Sequence, residues 1–156
     1  MSTPVQQAQT VNTPQQAAPA SVKRTRAQVL RDRVQIRLAP DETGPEIAAV
    51  LKSNDIELPG ADWSKVFPHW LIACDGDTVI GCIMVIPAKP FGFLEFLFTK
   101  KTAPYKLRII AFRKLAQQGV ATLSLAGSSW ALGTVEPGNK AFLQILDNHG
   151  VIHAYD

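Results

Sequence analysis

The chain has 156 residues, 46 % of them hydrophobic and 19 % charged, with a formal charge of +3. That composition suits one globular domain and excludes a wholly disordered chain. No apolar run approaches the roughly 18 residues that a bilayer-spanning helix requires. The Gln-, Thr-, Pro- and Ala-rich N-terminus has no apolar core of the kind a secretory signal carries, so the expected location is a cell cytoplasm.

The charge is unevenly placed. Lys23, Arg24, Arg26, Arg31 and Arg33 stand against one acid, Asp32, between Ser21 and Val34. Beyond them 11 basic residues meet 12 acidic ones, so the basic character belongs to the N-terminal arm. Residues 1–20 are low-complexity, with Val5 and Val11 as their larger apolar groups, and bury too little to offset the entropy of ordering them. Residues 21–33 mix Val22, Val29 and Leu30 with basic helix formers, the pattern of a short helical arm. The arm is either an anchor to a partner, protein or nucleic acid, or a solvated linker. The expected division is therefore an arm over residues 1–33 and one domain over 34–156.

The domain alternates strand and helix signals. Val34-Gln35-Ile36-Arg37-Leu38 has the period of a half-buried strand. Acids near Pro40 open a helix in which Ile47, Val50 and Leu51 recur as far as Asn54. Pro59-Gly60 breaks the chain, and residues 61–67 form one more short helix. A hairpin follows, Trp70 to Cys74 and Thr78 to Ile86, about an Asp-Gly-Asp turn. In that register Cys74 faces Val79, while Cys82 faces Leu71 on the opposite surface, so the two cysteines do not bond and serve as small core side chains. Phe91 to Thr99 is a third apolar strand, with Phe93, Glu95 and Leu97 on one face and Leu94, Phe96 and Phe98 on the other.

Leu107, Ile110, Ala111 and Leu115 then mark a helix from Tyr105 to Gln118, stopped by Gly119. Val120 to Leu125 reads as a strand, and Asn139 caps a helix carrying Phe142, Leu143, Ile145 and Leu146 that ends at His149-Gly150. Val151 to Tyr155 is a closing strand. Strand–helix–strand units of this kind favour an α/β fold with a mixed sheet.

Some constellations carry no chemistry. His69, His149 and His153 with the two cysteines lack metal-ligand spacing. Gly127-Ser128-Ser129-Trp130 lacks the flanks of a nucleophile elbow. Trp63, Trp70 and Trp130 read as core or rim residues.

This order of elements resembles the GNAT (N-acetyltransferase-like) superfamily from Val34 to the C-terminus. The stretch LIACDGDTVIGCIMV is similar to the family's second and third strands, and Asn139 with Gly150-Val151 to its asparagine-led helix and the Gly-Phe pair after it. The resemblance implies a central mixed sheet flanked by helices, acetyl-CoA as cofactor, and a Gly-rich loop holding the coenzyme pyrophosphate at a helix N-terminus. Here that loop is Lys100-Lys101-Thr102-Ala103-Pro104-Tyr105-Lys106, with no glycine and with a proline that lacks an N–H. Lys100, Lys101, Thr102, Lys106 and Asn139 are the candidate coenzyme contacts. The family's tyrosine acid falls at Leu146, which transfers no proton, while Glu95 matches its strand-four general base.

The stretch GNKAFLQILDNHGVIHAYD is similar to the end of small GNAT-like proteins of tailed bacteriophages, including internal virion proteins of short-tailed phages. Three readings follow. One is a non-catalytic binding or structural component with an eroded coenzyme site, incorporated in a virion. Another is an active acetyl-CoA-dependent N-acetyltransferase. The third is a nucleic-acid-associated module working through Lys23, Arg24, Arg26, Arg31 and Arg33.

Overall fold

Apolar residues on both faces of the Trp70 to Ile86 hairpin require cover on both sides, and the chain supplies it with helices. The computed structural model describes residues 24–57 and 69–133. Five strands lie side by side in chain order: β1 (Val34–Leu38), β2 (Trp70–Asp75), β3 (Thr78–Ile86), β4 (Phe91–Thr99) and β5 (Trp130–Leu132). The first four are antiparallel and β5 runs parallel to β4. Three α-helices, α1 (Arg26–Arg33), α2 (Gly44–Lys52) and α3 (Tyr105–Leu125), and one turn of 3-10 helix at Asp41–Thr43 complete the elements of the described residues. This is the expected mixed α/β sheet flanked by helices.

Two cores follow. On one face Leu107, Ala111, Leu115 and Leu123 of α3 pack on Val34, Leu71, Ala73, Ile80, Ile83 and Val85. On the other, Ile47, Val50 and Leu51 of α2 cover Trp70, Ile72, Cys74, Val79, Cys82 and Met84. Among the described residues no helix is long and apolar enough to cross a membrane.

Gly119 does not stop the helix. The chain stays helical from Tyr105 to Leu125, and the strand expected over residues 120–125 is the end of α3. The reason is tertiary. A Cβ at Gly119 would lie 2.9 Å from Leu94 Cδ2 and 3.3 Å from Ile83 Cδ1, so the helix crosses closest to the sheet at this glycine. Burying Leu115 and Leu123 outweighs the weak helix propensity of Val120 and Thr122, at a few tenths of a kcal/mol each. The true stop is Gly127, at φ +83°. There Gly127 N–H bonds Ser124 O and Ser128 N–H bonds Leu123 O, a Schellman pair.

Two bulges correct the expected strand faces. The hairpin turn pairs Cys74 with Val79, but the register shifts at Ala73/Cys74, so Cys82 meets Ile72 rather than Leu71. Both cysteines therefore lie on the α2 face, buried and free. In β4 the register shifts between Cys82 and Met84, and Phe96 takes a positive φ of 53°. Leu97 thereby joins Leu94 on the α3 side, and Phe96 and Phe98 join the α2 side. Glu95, paired with Met84, shares that α2 side rather than a face with Leu97.

The N-terminal arm is helical over its described part. Thr25 and Gln28 form a capping box at the start of α1, and Leu30 packs on the α3 core. Its last turn is tied down. Arg33 makes a two-pronged bond to Asp75 at 2.9 and 2.6 Å, and Lys114 Nζ donates to Arg31 O and Val34 O at 2.6 and 2.7 Å. The expectations for residues 1–23, 61–67 and 134–156 lie outside the described residues.

Candidate functional site

The candidate coenzyme residues fall where β4 ends and α3 begins, and the bulge sets their geometry. An extra residue at Phe96–Leu97 opposite Ile83 interrupts the ladder, which leaves backbone groups of β4 free to turn elsewhere. Phe96 lies against Trp70, ring centroids 5.9 Å apart. Glu95 is half-buried beside them on the α2 side.

Four residues on, β4 runs into the loop that the sequence marks as unusual. A helix start exposes unpaired N–H groups and the positive end of the helix dipole, so it favours anions. A pyrophosphate cradle needs those groups, and those of the preceding loop, pointing outwards. In this chain the loop folds on itself and on α2. Lys100 N–H bonds Ile80 O at 2.8 Å, and Ala103 N–H bonds Lys100 O at 2.9 Å. Lys101 N–H bonds Ser53 Oγ at 3.2 Å. Pro104, at the N-cap, has no N–H and no capping side chain.

Side chains hold the same arrangement. Lys101 Nζ meets the Asp55 carboxylate at 2.7 Å, and Asn54 Nδ2 donates to Thr99 O at 3.0 Å. Arg108 Nε donates to Thr99 Oγ1 at 3.3 Å from the first turn of α3. The donors and acceptors on α2 come from its C-terminal turn. Asp55 adopts φ +65°, which ends the helix and presents Ser53, Asn54 and Asp55 to the loop. These residues do not fit a coenzyme pyrophosphate: three loop N–H groups are engaged, one is missing, and one of the two loop lysines is already paired.

The candidate residues are brought together only in part. Lys100, Lys101 and Thr102 share the loop, and Lys106 stands exposed as the second residue of α3. Glu95 lies on the same strand but before the bulge. Asn139 and Lys23 lie outside the described residues. Of the basic arm, Arg24 pairs with Asp32 at 3.1 Å and Arg33 with Asp75, whose carboxylate raises the Arg33 guanidinium above its ordinary value. Arg26 and Arg31 are exposed. Sequence reasoning missed Ser53, Asn54, Asp55 and Lys114. The only local signal for the first three was a polar run after an amphipathic helix, which reads equally as a solvated helix end. Among the described residues no group of three His, Cys, Asp or Glu side chains is placed to hold a metal ion.

No protein-family model matches the sequence, and no curated protein does. Solved structures match the fold. An aminoglycoside N-acetyltransferase in complex with CoA is 12 % identical, with 79 % of this chain and 90 % of that chain covered at a TM-score of 0.64. A ribosomal-protein-alanine N-acetyltransferase from Brucella melitensis biovar Abortus 2308 is 13 % identical, with 79 % and 94 % covered at 0.60. A GNAT family acetyltransferase from Streptococcus pneumoniae TIGR4 is 12 % identical, with 79 % and 96 % covered at 0.58. The chain has the fold of the GNAT acetyltransferases.

Proposed function

We propose that this protein is a GNAT-fold protein with an eroded acetyl-CoA site, serving as a non-catalytic binding or structural component of a larger assembly. The observation that carries this reading is the closed loop between β4 and α3. Acetyl transfer in this fold needs the coenzyme held by backbone N–H groups at the start of the helix, and here Lys101 N–H bonds Ser53 and Ala103 N–H bonds Lys100. Opening the loop would break the Lys101–Asp55 pair and the bonds from Lys101 N–H to Ser53 and from Asn54 to Thr99 O. The basic arm is the part proposed to hold the partner. The assembly proposed is a bacteriophage particle, on the strength of the C-terminal resemblance alone.

The second reading, an active N-acetyltransferase, draws on the β4 bulge and on Glu95. A bulge frees backbone groups of the kind that stabilise a developing oxyanion, and Glu95 is a carboxylate within reach of the same strand. Calorimetric titration with acetyl-CoA separates the two, run beside Lys100→Ala/Lys101→Ala. The non-catalytic reading expects no heat at millimolar coenzyme from either protein. Micromolar binding by the parent chain, lost in the variant, would establish the enzyme reading instead.

A further inference from the structure

The two sides of the sheet differ in charge. On the α2 side Glu42, Glu46 and Glu57 are exposed beside the cations Lys52 and Arg37, the latter paired with Ile72 on that face. On the other side α3 carries Lys106, Arg108, Arg113 and Lys114 and no acid in its 21 residues. The neighbouring α1 carries Arg26, Arg31 and Arg33 with one acid, Asp32, and that acid is taken by Arg24. Asp75, beside the end of α1, is taken by Arg33. Among the described residues Arg26, Arg31, Lys106 and Arg113 form no ion pair.

The two helices are held as one surface. Lys114 Nζ reaches across to Arg31 O and Val34 O, which brings the end of α1 alongside the middle of α3. Arg113, exposed, is next in sequence to Lys114, whose side chain joins the two helices. Lys106 lies seven residues before Arg113, two turns or about 10 Å along the helix axis. We propose that this α1–α3 face, centred on Arg31 and Arg113 and flanked by Arg26 and Lys106, contacts the phosphate backbone of a nucleic acid. The face deepens the reading above by naming the partner class and by extending the contact from the arm onto the folded domain.

The arrangement selects this partner over a protein. Protein interfaces place apolar and aromatic groups at their centre and are depleted of charge there. Here α1 and α3 together expose Arg26, Arg31, Lys106 and Arg113, and the one acid of the two helices, Asp32, is paired with Arg24. The cations are also spread over two elements rather than gathered around one pocket, which suits a repeating line of phosphates and carries no base readout.

The test is fluorescence anisotropy of the full chain with a labelled 30-base-pair DNA duplex, at salt from 50 to 200 mM. Four phosphate contacts predict that affinity falls about a hundredfold over that range. The Arg31→Glu/Arg113→Glu variant should bind at least tenfold more weakly at 50 mM salt and lose only about tenfold more by 200 mM, as two contacts would. Both side chains are exposed, so circular dichroism should show the variant folded; Arg113→Ala, read on the same axis, gives an intermediate slope. Wild-type affinity and slope in the double variant would overturn the proposal. So would absence of duplex binding at 50 mM salt accompanied by self-association, which would assign the basic face to the acidic α2 side of a second copy. Arg31 and Arg113 lie off the loop at residues 100–104, so this proposal and the non-catalytic reading fail separately, the latter by acetyl-CoA titration alone.

Discussion

Helix α3 meets the rest of the molecule in two ways. Along its length it fits the sheet through apolar surface, with Leu115 and Ala111 fully buried and Gly119 pressed against Leu94 and Ile83. At its N-terminus it is met by polar groups from the end of α2: Ser53 Oγ accepts from the Lys101 N–H, Asp55 pairs with Lys101 Nζ, and Asn54 donates to Thr99 O. The first contact is what any protein of this fold needs to stand. The second ties the loop between β4 and α3 to the end of α2. In the reading proposed above, scaffold and ligand site are separable, the packing that makes the fold being kept where the anion cradle is closed.

The largest effects should come from breaking the apolar contact. Leu115→Ala removes a fully buried side chain from the centre of the α3 core and should cost about 2–5 kcal/mol of unfolding free energy in urea titration. Gly119→Val should cost about 1–3 kcal/mol through overpacking against Leu94. Gly119→Ala is the sharper probe. Its Cβ meets the movable side-chain ends of Leu94, Ile83 and Val85, and alanine recovers about 1 kcal/mol of helix propensity, so the change should be close to neutral.

Next in size is the seam between α1 and α3. Lys114→Met removes two hydrogen bonds to Arg31 and Val34 carbonyls, which should cost about 1–3 kcal/mol and speed amide exchange across residues 26–33. On the α2 face, burial pushes the Cys82 thiol up to about 12. In the unfolded chain that thiol ionises near pH 8.5. Because the folded value is raised, its stabilising contribution is full below about pH 8.5 and is lost progressively as pH rises from there towards 12. Urea midpoints in Cys82→Ala should therefore fall less steeply over that range than in the parent. The smallest effect belongs to the loop. Asp55→Asn keeps a residue tolerant of the left-handed backbone, breaks an exposed pair with Lys101, and should change stability by less than about 1 kcal/mol.

Local structure was legible in the sequence wherever a short-range signal decided it. The Asp75-Gly76-Asp77 turn placed the hairpin, and the spacing of Ile47, Val50 and Leu51 placed α2. Long-range packing decided the rest. Gly119 and Gly127 look alike as helix stops, and only the close approach of Leu94 and Ile83 keeps the first inside the helix. The bulges at Ala73/Cys74 and at Phe96 move residues between faces without any turn residue to announce them. The loop's partners, Ser53 and Asp55, lie 48 and 46 residues before Lys101, so no local pattern joins them.

The most direct test of the closed loop reads its backbone residue by residue. Amide resonances of Lys101, Thr102, Ala103, Lys106 and Leu107 should be followed in a two-dimensional nitrogen–proton spectrum as acetyl-CoA is added to millimolar concentration. A loop whose N–H groups are held by Ser53 and Lys100 predicts that none of these signals moves and that Lys101 and Ala103 remain slow to exchange. Saturable shifts at these amides, with Lys101 released from protection, would show that the loop opens to a phosphate and would contradict the account.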